Sequence, residues 1–187
     1  MNFKKIDKIT SGHFINRYDI TYEEADGTEK VYEMISRDKG LDSFERLRKK
    51  TADAVVMVVT DETGERILLN REFRLPVGDW VYNFPAGLIE PGETPGQSAK
   101  REIFEETGLD LFRIDDVMNR SFSAVGFSNE SNICIVGCAR GKIRPSDSPD
   151  EEIIAGWYTR EQVAKMLRTE NFARATQSYC YLWAKGY

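Results

Sequence analysis

Histidine is almost absent from this chain: His13 is the one histidine in 187 residues. It lies far from the polar clusters described below, so a histidine general base is not the expectation and attention passes to the carboxylates. Cysteine is scarce too. Cys134, Cys138 and Cys180 make an odd set without regular spacing, which argues against a secreted disulfide framework and against a cysteine-built zinc site. Cys134 and Cys138 fall in an apolar run and read as buried thiols. Basic charge is not in excess: the net charge is -5 and the pI near 5.1. DNA or long RNA is therefore not an expected partner, whereas a small anion is acceptable if arginine or a metal offsets the acid. No apolar stretch reaches transmembrane length, and the opening "MNFKKIDKIT" has no apolar signal-peptide core. The expectation is a soluble, cytoplasmic protein. Internal repeats and low-complexity tracts are missing as well.

What is present is enough apolar residue, 41%, for a real core, and 30% charged residues to solvate its surface. Phe14, Tyr18, Ile20 and Tyr22 alternate with polar residues, as in a half-buried strand. Asp26-Gly27 is a hairpin signal, and "VYEMISR" reads as the returning strand. Residues 1–45 are thus expected to form an N-terminal β-hairpin subdomain, ending in the polar connector "GLDSFERLRKK", and residues 46–187 the main domain. In the latter, "ADAVVMVVT" is a continuous apolar run, typical of a strand buried on both faces. "RILLNREFR", "GDWVYNFPAG", "VMNRSFSA", "NICIVGCA" and "IIAGWY" read as further extended segments. Thr94-x-x-Gln97, with Pro95 at the first helical position, and Thr159-x-x-Gln162 are capping boxes that open helices. A last helix is expected over about Ala173 to Ala184. The mixture predicts an α/β sandwich around a mixed sheet.

The helix opened by Thr94 carries Glu102, Glu105 and Glu106, at i, i+3 and i+4, so on one face. Like charges at that spacing repel, and the negative end of the helix dipole disfavours acid in the last turn. Either the face is simply solvated, or a cation sits there. A divalent cation such as magnesium takes oxygen ligands and would offset the repulsion. In the preceding loop, Gly87 can admit a close approach of backbone to a ligand. Gly92 and Gly96 turn the chain on either side of Glu93, and Arg101 can pair with Glu93 to brace loop against helix. Gly108 is placed to end the helix.

The stretch from Gly87 to Leu109 resembles the Nudix box: Gly87, five residues, Glu93, seven residues, Arg101-Glu102-Ile103, one residue, Glu105-Glu106, one residue, Gly108-Leu109. The resemblance implies a Nudix α/β/α sandwich, with the box as loop–helix–loop, and a pyrophosphohydrolase using Mg2+ or Mn2+. It implies Glu102, Glu105, Glu106 and the carbonyl of Ala86 as metal ligands, with Glu105 and Glu106 in catalysis. Glu93, Arg101 and Gly108 would be structural.

Two further segments are similar to the ADP-ribose and nucleotide-sugar branch of the family. One is "REFRLPVGDWVYNFPAG", in which Arg74 matches an arginine that faces substrate phosphate. The other is "SAVGFSNES", in which Gly126, Ser128 and Glu130 fit, while Val125 stands where a proline is usual. The branch implies conversion of ADP-ribose to AMP and ribose 5-phosphate, substrate contacts from Arg74, Gly87, Gly126 and Ser128, and a homodimer whose N-terminal strands help enclose the nucleobase. Phe14, Tyr18, Tyr22 and Tyr32 are candidate aromatics for that contact, or for packing. The acid that activates water is either Glu151, in "PDEE", or Glu130. Alternatives are a Nudix enzyme acting on a GDP-sugar, a dinucleoside polyphosphate or an oxidised nucleotide, and a non-catalytic ADP-ribose sensor. The sensor is disfavoured because every box carboxylate is present.

Overall fold

Alternating apolar and polar residues make a strand that covers one face; a continuous apolar run makes a strand covered on both. Both kinds occur here. The computed structural model describes residues 1–49, 51–147 and 152–187. In chain order its elements are β1 (Asn2–Ser11), β2 (Asn16–Glu23), β3 (Glu29–Ser36), α1 (Phe44–Leu47), β4 (Ala54–Thr60), β5 (Arg66–Arg74), β6 (Asp79–Asn83) and β7 (Ala86–Leu88). They continue as α2 (Pro95–Thr107), β8 (Asp110–Val117), β9 (Ser121–Phe122), β10 (Ser131–Arg140), β11 (Ile153–Thr159), α3 (Arg160–Met166) and α4 (Arg174–Lys185). They divide into two compact units. One is Met1–Asp53 with Arg120–Asn132; the other is Ala54–Asn119 with Ile133–Tyr187.

The first unit is built on an antiparallel sheet in the order β1-β2-β3. Tyr18, Ile20, Met34 and Leu41 form its core. The turn between β2 and β3 is closed by Asp26, whose carboxylate accepts from the Thr28 N–H at 3.0 Å and the Thr28 hydroxyl at 2.7 Å, with Gly27 at φ 85°. Two readings need adjustment. The hairpin gains a third strand, β1, whose lysine-rich sequence leaves only Phe3 and Ile6 half-buried, on either side of a register shift between Phe3 and Lys5. Phe14 is not in β2: it lies in the bend before it, 70% exposed. Residues 120–132 add β9 and a turn from which the Phe127 carbonyl accepts the Ile35 N–H at 2.8 Å.

In the second unit the strand order is β11-β5-β4-β10-β8, with β6 on β5 and β7 on β4. Val55, Met57 and Val59 of β4 and Leu68 of β5 pack on Ala99 and Ile103 of α2. Val58, Ile67 and Leu69, from the same two strands, pack with Val163 of α3 and Cys180 and Trp183 of α4. Helices therefore cover both faces of the mixed sheet, which is why β4 reads as an unbroken apolar run. Burying each valine, leucine, isoleucine or methionine among them contributes about 1.5–3 kcal/mol. β8 escaped the sequence reading because it is the outermost strand of that order: Leu111 is its one buried residue, and Asp110, Arg113, Asp115 and Asp116 interrupt its other apolar positions, Phe112, Ile114 and Val117. Both capping boxes form, at Thr94–Gln97 and Thr159–Gln162. Cys138 and Cys180 are buried and Cys134 half-buried, all as free thiols. Burial pushes the Cys180 thiol up to about 12. Among the described residues, no helix is long and apolar enough to cross a membrane.

Candidate functional site

The loop between β7 and α2 is held by one side chain. Arg101, on the second turn of α2, donates from Nε to Glu93 Oε1 at 2.8 Å and from Nη2 to Glu93 Oε2 at 2.9 Å. The same Nη2 reaches the Leu88 carbonyl at 2.9 Å. Glu93 also accepts from the Ser98 hydroxyl at 2.6 Å and from the Glu90 N–H at 3.1 Å. Two-pronged pairing of this kind is strong and fixes orientation. Arg101, then Ser98, hold the Glu93 carboxyl down at about 2, and Glu93 in turn raises Arg101 above its usual value. The remaining Nη1 of Arg101 points to the helix acids, 2.7 Å from Glu102 Oε1 and 3.1 Å from Glu105 Oε2.

The three helix acids share a face but not a setting. Glu102 lies flat against Gly87: a Cβ there would stand 1.9 Å from its carboxyl carbon. The close approach that Gly87 permits is thus made by Glu102. Glu105 is exposed, whereas Glu106 is 6% exposed and accepts from Asn70 Nδ2 at 2.9 Å. Asn70 sits on β5, in the row that begins with the core residue Leu68 and continues outward through Glu72 to Arg74. Glu72 is buried and accepts from Arg74 Nη1 at 3.2 Å, while the Arg74 side chain is half-exposed. Asn70 is fully buried, yet among the described residues its Oδ1 has no hydrogen-bond partner. Asn70 and Glu72 were not anticipated. The signal in "RILLNREFR" is two polar residues spaced by two within a strand whose neighbours are core.

Gly126, Ser128 and Glu130 belong to the first unit. There the Gly126 carbonyl accepts from the Tyr32 hydroxyl at 2.5 Å, and Ser128 Oγ accepts from the Glu130 N–H at 3.1 Å. Glu130 is ion-paired with Arg37 at 2.9 Å. Glu151 lies outside the described residues. Ala86 opens β7 beside Val56 of β4, and Gly108 ends α2 at φ 75°.

Hard carboxylate and carbonyl oxygens at Glu102, Glu105, Glu106 and Ala86 suit a divalent cation of the magnesium type in donor chemistry, and Gly87 leaves the room that Glu102 needs. Among the described residues no three acidic, histidine or cysteine side chains are drawn together tightly enough to hold an ion as they stand. Arg101 is a positive charge that both Glu102 and Glu105 face.

A NUDIX domain family model matches residues 50–179. The chain is 30% identical over 150 residues to an ADP-sugar pyrophosphatase of Mus musculus, across 76% of this chain and 65% of that one. It is 34% identical over 115 residues to an NAD-capped RNA hydrolase of Macaca fascicularis, across 60% of this chain and 23% of that one. It therefore spans less than two thirds of either relative. A solved structure described as an ADP compounds hydrolase superposes with a TM-score of 0.74, covering 100% of this chain and 97% of that one at 17% identity, and shares its fold.

Proposed function

The chain belongs to the Nudix family, and on that premise we propose that it hydrolyses the pyrophosphate bond of ADP-ribose, or of a related nucleoside diphosphate sugar, with a divalent metal. One observation carries the proposal: the loop–helix that presents Glu102, Glu105 and Glu106 is locked by Arg101 and stands against the β5 row that ends in Arg74. Glu102, Glu105, Glu106 and the Ala86 carbonyl would hold the ion. When bound, such an ion supplies neutralisation of phosphate charge and activation of water. Arg74, half-exposed and steadied by Glu72, binds and orients a phosphate. Gly87 keeps Glu102 in place. Asn70 orients the buried Glu106. Glu151 or Glu130 takes the proton from the attacking water; the choice rests on the resemblance alone. The same resemblance supports a homodimer and magnesium as the working ion. The mouse relative, an ADP-sugar pyrophosphatase by name, supports this substrate class.

A second reading has its own support, since an NAD-capped RNA hydrolase stands among the relatives. NAD contains an ADP-ribosyl pyrophosphate, so the same bond chemistry would serve. Phosphatase-coupled phosphate release from ADP-ribose, ADP-glucose, GDP-mannose, diadenosine polyphosphate, NAD and NAD-capped RNA, with and without Mg2+, separates the two. Metal-dependent turnover is expected to be highest on ADP-ribose. Highest turnover on NAD or capped RNA would replace the first reading with the second, and binding of ADP-ribose without turnover of anything would mark a sensor.

A further inference from the structure

The last turn of α2 carries Glu105 and Glu106 at the negative end of the helix dipole, with no basic residue of its own. The compensation comes from elsewhere in the chain. Arg144, in the segment after β10, donates its backbone N–H to the Thr107 carbonyl at 2.9 Å and its Nη2 to the Phe104 carbonyl at 3.1 Å. Its guanidinium lies 4.9 Å from the Phe104 ring centre. It also grips Asp147 with both nitrogens, at 2.5 and 2.6 Å, and the Asp147 N–H donates to the Glu105 carbonyl at 3.0 Å. Carbonyls at a helix C-terminus have no partner within the helix. Here those of Phe104, Glu105 and Thr107 are all engaged, with the Gly108 N–H as a second donor to Phe104. Gly108 serves this contact too: a Cβ there would stand 2.3 Å from Arg144 Cγ.

We propose that Arg144, with Asp147, is a positioning residue for the carboxylate row: together they fix the turn from which Glu105 and Glu106 project. This rests on the reading of those glutamates as metal ligands. Arg144 acts through the backbone of residues 104–107. Lysine at the same place would restore charge but not the two-pronged grip on Asp147.

The test is Mn2+ binding to the substrate-free protein by titration calorimetry, for the parent, Arg144→Ala, Arg144→Lys and Asp147→Asn, alongside kcat and KM on the best substrate. Removing a residue that orients metal ligands weakens metal binding by about 10–100-fold. Arg144→Ala is expected to weaken Mn2+ binding about tenfold and to lower kcat by a similar factor, with KM changed less than about threefold, and Arg144→Lys to recover part of both. A folded Arg144→Ala protein that binds Mn2+ as tightly as the parent overturns the proposal. Should that variant fail to fold, Asp147→Asn, which loosens the grip while keeping Arg144, decides by the same titration. A parent that binds Mn2+ but turns over no pyrophosphate defeats the functional reading alone. A parent that binds no Mn2+ defeats both.

Discussion

Two helices of the second unit begin alike and end differently. α2 and α3 each open with a Thr-x-x-Gln capping box in which the threonine oxygen takes the third N–H and the glutamine returns to the threonine N–H. α3 then follows the dipole, with Glu161 in its first turn and Lys165 in its last. α2 reverses it: no acid in the first turn, no base in the last, and glutamates at 102, 105 and 106. Helix starts are thus set locally, by two side chains. The charge at a helix end is free to serve another purpose, and a reversed end shows where it does. In α2 the reversal is tolerated because Arg101 and Arg144 stand over the acids and the carbonyls.

The contrast breaks most sharply at the acids themselves. Glu106→Gln keeps the shape of a buried side chain and removes its charge. It is expected to lower kcat on the best substrate by roughly 10²–10³-fold, the scale of losing one charge-stabilising contact in a transition state. Glu161→Gln on α3 should leave kcat within about twofold and change stability by no more than ~1 kcal/mol. Steady-state rates and thermal melts of the two variants check this. Parental activity in the Glu106→Gln variant would remove Glu106 from the site.

A second pair sharpens the comparison within the box. At Gly87 an added Cβ would fall 1.9 Å from the Glu102 carboxyl carbon, whereas at Gly96, in the first turn of α2, it would meet Ile114 Cδ1 at 3.3 Å. Gly87→Ala must displace a carboxylate. The expected cost is ~1–3 kcal/mol in stability and about a hundredfold in rate, because a misplaced group near the chemistry is felt at that level. Gly96→Ala pushes only on the end of an isoleucine and gains helix propensity, so its stability should stay within about 1 kcal/mol of the parent and its rate should hold. Equal activity in the two variants would show that Glu102 does not depend on the space at Gly87.

Much of this was legible in the residues. Both capping boxes, Gly108 as terminator and the doubly covered strand β4 follow from local rules of spacing and shape, and the box places its acids on one face by helical period alone. The differing settings of those acids were not legible: that Glu106 is buried against Asn70 depends on which strand lies beneath α2, and no spacing reports that. β1 and β8 were hidden because charged residues at strand positions break the alternation that marks a strand. Arg144 was invisible for another reason. It sits in a polar loop some forty residues beyond the helix it caps, so its meaning exists only in the folded chain.

The smallest effect concerns the loop before α2, and it has a definite sign. Glu93 is held at about 2, below the ordinary carboxylate value of about 4.3. A group whose pKa is depressed on folding stabilises the fold above its unfolded value, and that contribution is lost as the pH falls through the folded value. The brace formed by Glu93 with Arg101 and the Glu90 N–H should therefore be intact above pH ~4.5 and weaken progressively toward pH ~2. Thr159 and Gln162, which open α3, do not ionise, so the hydrogen bond from the Thr159 N–H to Gln162, 2.8 Å long, should hold over the same range. Hydrogen exchange at the amides of Glu90 and Thr159 reads the two starts separately: once corrected for the pH dependence of intrinsic exchange, protection at Glu90 should fall with acid while that at Thr159 persists. Glu93→Gln should leave Glu90 with little pH dependence of its own. Parallel loss at both amides would mean that acid loosens the unit as a whole, and that the brace at Glu93 is not its weak point.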